Sequence, residues 1–206
     1  MNLNNRINGI LTLSALVAAL VAFPAFGVEV DGVQLDDSVR IANDELKLNG
    51  AGTHYRVIFK VYAAALYLPE KKTSASEVLA LPGAKRLTMV MLRDVSSNTF
   101  AQSFMNGLKR NTSFADRTKI VNQLLSFGQM FASVPEFKKG DVLTFDWVPG
   151  AGTLLRINGK KIAETIPDVA FYQAFLRIWL GQQPADEKLK RLMLGEKTEG
   201  RDRANF

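Results

Sequence analysis

Four side chains with usable chemistry fall at even spacing along one segment of this sequence: His54, Arg56, Lys60 and Tyr62. An imidazole exchanges a proton near neutral pH and can serve as a general base. Arginine and lysine hold anions, arginine with a bidentate fork. A tyrosine hydroxyl donates a hydrogen bond to a carbonyl or carboxylate. If the segment is a strand, residues two apart share a face. His54, Arg56, Ile58, Lys60 and Tyr62 then line one wall, and Tyr55, Val57, Phe59, Val61, Ala63 and Ala65 form the core face. No acid at usable spacing identifies itself as the orienter of His54. Three readings of His54 therefore stay open: a base, a polar cleft residue that touches a ligand, or a surface residue. Arg56 is either a solvated cation or a second anion holder on the same face.

The rest of the sequence narrows the chemistry. His54 is the only histidine and there are 0 cysteines, which excludes a zinc site of nitrogen and sulfur ligands, thiol chemistry and disulfides. Serine hydrolysis would have to recruit His54. No G-x-S-x-G, P-loop or G-x-G-x-x-G pattern occurs between a strand and a helix. Gly50-Ala51-Gly52 and Gly150-Ala151-Gly152 lead into no helix and read as turns. Neither a metal nor a cofactor is expected.

The 206 residues, 47% hydrophobic and 22% charged, suit one folded domain. Residues 1–27 read as a secretory signal peptide: Arg6, an apolar run of about fourteen residues from Ile10, and small residues at Ala25 and Gly27. The run is shorter than the ~20 residues of a spanning helix. Export to the periplasm is the expectation, with a mature domain over 28–195 and a polar, disordered tail from Glu196. The leader carries one arginine and no acid, so its removal takes the formal charge from +6 to +5. Basic residues are scattered, the densest group being Lys188, Lys190 and Arg191, so nucleic acid is not an expected partner.

The elements that must position the four side chains follow from pattern. Val28 to Val33 reads as a strand, Thr53 to Leu68 as one long strand, Ser76 to Leu81 as a short helix and Lys85 to Asp94 as another strand. Ser97 caps a helix with Phe100, Phe104, Met105 and Leu108 at helical spacing. Ser113 caps a second with Ile120, Val121, Leu124, Leu125 and Phe131. Val142–Val148, Thr153–Ile157 and Lys160–Ile166 form a meander, its second turn the hairpin signal Asn158-Gly159. Asp168 caps a helix that ends at Gly181, and a short helix spans Pro184 to Leu194. The arrangement is α+β: an antiparallel sheet with helices packed on one face and the other face free.

The segments "LNGAGTHYRVIFKVYAAALYLP", "LTMVMLRDVSSNTFAQSFMNGL", "FDWVPGAGTLLRINGKKI" and "FYQAFLRIWLG" occur in this order across most of the mature chain. As an ordered set they resemble the chalcone isomerase-like proteins, in particular the secreted bacterial members. The resemblance implies an open-faced β-sandwich with a large antiparallel sheet, a helical layer on one face and a cleft beside strand 53–68. Some members cyclise chalcones; others bind fatty acids.

In the catalytic branch an arginine after the Gly-x-Gly turn stabilises an oxyanion, and a strand Thr and a helix Tyr hold a water on the reacting carbonyl. Fatty-acid binders use the equivalent arginine, with a strand tyrosine, for the carboxylate. Carried onto this sequence, the arginine falls on His54, the strand position on Tyr62 and the helix tyrosine on Phe100. His54 lacks the guanidinium fork and Phe100 lacks a hydroxyl, whereas Tyr62 matches the binding branch. The resemblance therefore implies a non-catalytic binder of a small apolar ligand or amphipathic carboxylate, with His54, Arg56, Tyr62 and Phe100 at the ligand. The alternatives are an intramolecular lyase acting on a chalcone-like enone by oxyanion stabilisation, and a module docking on another exported protein through the open sheet face.

Overall fold

Short alternating runs divided by tight turns build an antiparallel sheet, which the apolar helices then cover. The computed structural model describes residues 27–197. All but the last residue of the expected leader 1–27, and all but the first two residues of the expected tail, lie outside them. β1 (Val28–Val30) and β2 (Val33–Leu35) form a small hairpin, followed by β3 (Ser38–Ile41), β4 (Asp44–Arg56) and β5 (Phe59–Leu68). A helix α1 (Ala75–Ala80), fixed by a Ser74/Glu77 capping box, precedes β6 (Lys85–Met91) and β7 (Val95–Ser96). Then come α2 (Ser97–Asn111), α3 (Phe114–Lys119), α4 (Val121–Ala132) and β8 (Glu136–Phe137), the last paired with β7. β9 (Val142–Val148), β10 (Gly152–Ile157), β11 (Lys160–Lys161), α5 (Val169–Leu180) and α6 (Glu187–Met193) complete the chain.

The main sheet has the order β11-β10-β9-β6-β5-β4-β3, and every pair in it is antiparallel. α2, α4 and α5 lie on one face. α5 is apolar almost all round and buries Phe171, Tyr172, Phe175, Ile178 and Trp179. Each such side chain contributes about 1.5–3 kcal/mol on burial, so α5 is held by packing more than by its propensity. The opposite face is not fully free. The β1–β2 hairpin covers part of it, closing a second cluster of Leu35, Ile41, Leu46, Leu48 and Tyr67. That cover narrows the surface on which an open sheet could dock a partner.

The expected long strand Thr53–Leu68 is two strands. The chain reverses at Val57-Ile58, with Arg56 opposite Phe59 across the turn. Gly50, Ala51 and Gly52 are not a turn but lie within β4. Their glycines serve close approach: a Cβ at Gly50 would overlap the Leu192 carbonyl, and one at Gly52 would come within 2.6 Å of the Leu192 side chain. Only glycine lets α6 lie so tightly on β4.

Smaller differences have local causes. Ser96, not Ser97, caps α2 by accepting from Thr99 N–H; Ser97 Oγ instead donates to the Val134 carbonyl. The helix expected after Ser113 breaks at Ile120, whose ψ of 20° separates α3 from α4. Lys160–Ile166 pairs only over Lys160–Lys161, with a further single bridge at Ile166.

A cavity beside the β4–β5 hairpin

The turn at Val57-Ile58 changes which side chains share a wall. A bulge sets Tyr55 opposite Lys60 and His54 opposite Tyr62, leaving Val61 as the extra residue. Lys60 consequently points to the other side of the sheet, where its Nζ is 2.6 Å from Asp31 Oδ1. Tyr55 turns the same way, with its hydroxyl near Asp31. Val57 and Phe59 are exposed rather than core, at 88% and 56%, and Ile58, at the turn itself, is 77% exposed. Ala63 and Ala65 are buried as expected, and Val61 is half-buried.

Between this end of the sheet and the helices α2 and α5 lies a cavity of about 300 Å³, at the small end of the usual range for ligand pockets. His54, Arg56, Tyr62 and Phe100 all line it. Met89, Phe104, Ile178 and Trp179 form its apolar interior; Arg56, Phe59, Arg93, Ser96 and Thr99 stand around it nearer the surface. The histidine ring stacks on Tyr62, centroids 4.8 Å apart. Phe100 is fixed against Phe131 and Phe137, at 5.4 and 5.0 Å, and brings an apolar ring without a hydroxyl to the cavity wall.

Tyr62 is the one deeply buried hydroxyl lining the cavity. Trp179 Nε1 donates to its oxygen at 2.9 Å. An indole N–H can only donate, so the tyrosine oxygen accepts and its own proton has no acceptor among the described residues. Burial drives the Tyr62 ionisation far above the ordinary phenol value. The phenol therefore stays neutral and presents a donor to whatever fills the cavity.

His54 is not a cationic anchor. Burial lowers its pKa, and the Arg56 charge pushes the same way; Asp186 opposes both and does not overcome them. Asp186 is held by other bonds, its Oδ2 accepting from Tyr55 N–H at 3.1 Å and its Oδ1 from Leu189 N–H at 3.0 Å, where it caps α6. Its nearest oxygen lies 3.6 Å from His54 Nδ1, and that shielded nitrogen has no hydrogen-bond partner. A neutral imidazole with a loose carboxylate neighbour has neither the charge to clamp an anion nor the orientation expected of a base.

Positive charge comes instead from Arg56 and Arg93. Neither pairs with a carboxylate among the described residues, and the Arg93 guanidinium lies over the Phe59 ring, 5.1 Å from its centroid. Asp94, the neighbour of Arg93 in sequence, is taken by Lys138 Nζ at 3.4 Å and by the Lys139 N–H at 2.8 Å. Of the two tryptophans, Trp179 lines the cavity, while Trp147 packs near Tyr172. Among the described residues no cluster of three or more His, Cys, Asp or Glu could hold a metal ion.

Sequence reasoning found His54, Arg56, Tyr62 and Phe100 as a group but missed Asp186, Phe59 and the Trp179–Tyr62 bond. Asp186 and Trp179 lie more than a hundred residues from their partners. Phe59 was hidden by the unrecognised turn.

Comparison with known proteins gives the same architecture. No curated protein matches the chain significantly in sequence. Among solved structures, a fatty-acid binding protein of Arabidopsis thaliana is similar with a TM-score of 0.59 at 16% identity, over 79% of this chain and 92% of that one. At that identity the likeness speaks to fold. Residues 27–195 match the family described as chalcone isomerase-like. Sheet, helical layer and family match agree, and the chain belongs to the chalcone isomerase-like family.

Proposed function

We propose that this protein is an exported, non-catalytic binder that holds one small apolar or fatty-acid-like molecule in the cavity beside the β4–β5 hairpin. The observation that carries the reading is the Tyr62 hydroxyl, buried at an apolar cavity with its proton unspent. A ligand with a carbonyl or carboxylate oxygen satisfies that donor, and its hydrocarbon part fills the space beside Phe100, Phe104 and Met89. Arg56 and Arg93 supply the attraction for a carboxylate that the neutral His54 does not. The similar fold of a fatty-acid binding protein supports the ligand class.

Catalysis by the route known in the family needs a cationic side chain and a second hydroxyl. Here those positions hold a neutral imidazole and Phe100. The leader-like residues 1–27 support export to the periplasm, where the mature chain begins near Val28.

Mass spectrometry under native conditions, on protein recovered from a periplasmic extract, tests the reading. The expected spectrum shows a chain starting near Val28 with a lipid-sized adduct, and the adduct is lost in Tyr62→Phe. A chain that retains no ligand, binds no added fatty acid and turns over a hydroxychalcone faster than buffer would replace the binder with an intramolecular lyase. Full-length protein confined to the cytoplasm would remove export alone.

A further inference from the structure

We propose that the tip of the β4–β5 hairpin docks on anionic phospholipid bilayers. Its two turn residues, Val57 and Ile58, are 88% and 77% exposed, and Phe59 beside them is 56% exposed. Single exposed apolar side chains are ordinary, but three in succession at a protruding turn are not. The backbone makes the choice of residues stranger. Val57 has φ +59° at the first position of a two-residue turn. Glycine, asparagine or aspartate fits that conformation, and a β-branched residue strains it. The turn between β10 and β11, in the same sheet, has Asn158 at φ +49° followed by Gly159. The β4–β5 tip thus forgoes suitable turn residues and presents hydrocarbon to solvent.

The charge around the tip selects the occupant. Arg56 precedes the turn and Arg93 lies over Phe59, neither with a carboxylate partner among the described residues. The nearby acids are engaged: Asp31 by Lys60 and Thr53, Asp94 by Lys138. An apolar tip ringed by unpaired arginines matches the interfacial layer of an anionic membrane. There hydrocarbon enters the acyl boundary while the guanidinium groups stay among the phosphates. A convex tip of three residues is too small to make a protein interface of roughly 800 Å² per partner. Among the described residues no helix is long and apolar enough to cross a membrane, so the contact is peripheral. Arg56, Phe59 and Arg93 also line the cavity, so docking turns its rim toward the lipid. The docking itself does not rest on the cavity holding a ligand.

The absence of cysteine allows a polarity-sensitive fluorophore to be placed at one position. Two labelled chains are compared, Ile58→Cys at the tip and Lys160→Cys beside the Asn158-Gly159 turn, both at exposed sites and with matching circular dichroism. Vesicles of equal parts phosphatidylglycerol and phosphatidylcholine should shift emission to the blue at position 58 and leave position 160 unchanged. Pure phosphatidylcholine should act far more weakly. Changing Arg56 and Arg93 to Gln should raise the lipid concentration at half-response by about fivefold per arginine, following the contribution of one basic residue at an anionic surface. Equal responses at 58 and 160, or none at 58 with the anionic vesicles, overturn the proposal. Adding Tyr62→Phe to the Ile58→Cys chain separates it from the ligand reading: the adduct disappears while the vesicle response stays.

Discussion

Among the described residues, two polar clusters on opposite faces of the sheet are built on opposite principles. On the face away from α5, the fully buried Asp146 accepts from Arg86 Nε and Nη2 at 2.6 and 2.7 Å and from Arg156 Nη1 at 2.7 Å. Both carboxylate oxygens are satisfied, and cross-strand pairing of β6, β9 and β10 holds all three residues in register. On the helix-facing side, Tyr62 accepts one bond and gives none, and His54 Nδ1 has no partner. A completed cluster locks strands together. An incomplete one beside a cavity has interaction capacity left for another molecule, because buried polar groups are normally paired.

The largest test of this contrast is Asp146→Ala. It leaves two guanidinium groups facing each other in a poorly solvated site, and we expect a loss of about 3 kcal/mol in urea denaturation. Ligand retention by the folded fraction should be unaffected. A drop in ligand binding as large as the drop in stability would show that the Asp146 cluster is part of the site.

Tyr62→Phe should behave in the reverse way. The Trp179 N–H loses its acceptor, at a cost of about 1 kcal/mol in stability, while affinity for a carbonyl or carboxylate ligand falls at least about tenfold. Equal ligand affinity in the two proteins would mean that the tyrosine proton is never used, and the two clusters would then differ in completeness but not in purpose.

His54 gives the contrast a pH signature. Its pKa is lowered in the folded state by burial, so the unfolded chain binds the proton first as pH falls. Stability should therefore be full above the unfolded value of about 6.5 and decrease as pH drops below it, levelling off beneath the folded value. His54→Gln removes that segment of the pH dependence. A curve that is unchanged by the substitution would place the imidazole in solvent contact in both states.

What was legible in the sequence follows the same division between local and distant causes. Asn158-Gly159 names its own turn because both residues suit positive φ. Asp168 opens α5 for an equally local reason, accepting from the Ala170 N–H, whereas Gly181 at its end has an ordinary φ of −71° and makes room for the Asn111 side chain of the distant α2. Val57-Ile58 carries no such sign, so β-rich alternation runs straight through a reversal and assigns Phe59 and Lys60 to the wrong faces. Gly50 and Gly52 look like turn residues, but their cause is α6, which packs on β4 from the far end of the chain. The Tyr62–Trp179 bond spans a separation of 117 residues, so no local pattern encodes it. His54 was identifiable as a cavity residue through the family's strand, but its neutrality depends on burial that only the packed helices create.

The smallest expected effect concerns Arg56 and Arg93, which belong to neither cluster. With no ion pair among the described residues and with exposed side chains, their replacement by Gln should change stability by less than about 0.5 kcal/mol each. Their influence should appear only as a difference between ligands. A fatty acid and the alcohol of the same chain length share the hydrocarbon contacts and the acceptor for Tyr62, but differ in charge. If the arginines supply the attraction that His54 does not, the double variant loses a few-fold in affinity for the acid and none for the alcohol, and added salt weakens the acid in the parent protein alone. If acid and alcohol lose equally, the arginines act through packing of their stems and of Phe59 at the rim, and Tyr62 is left as the cavity's polar anchor.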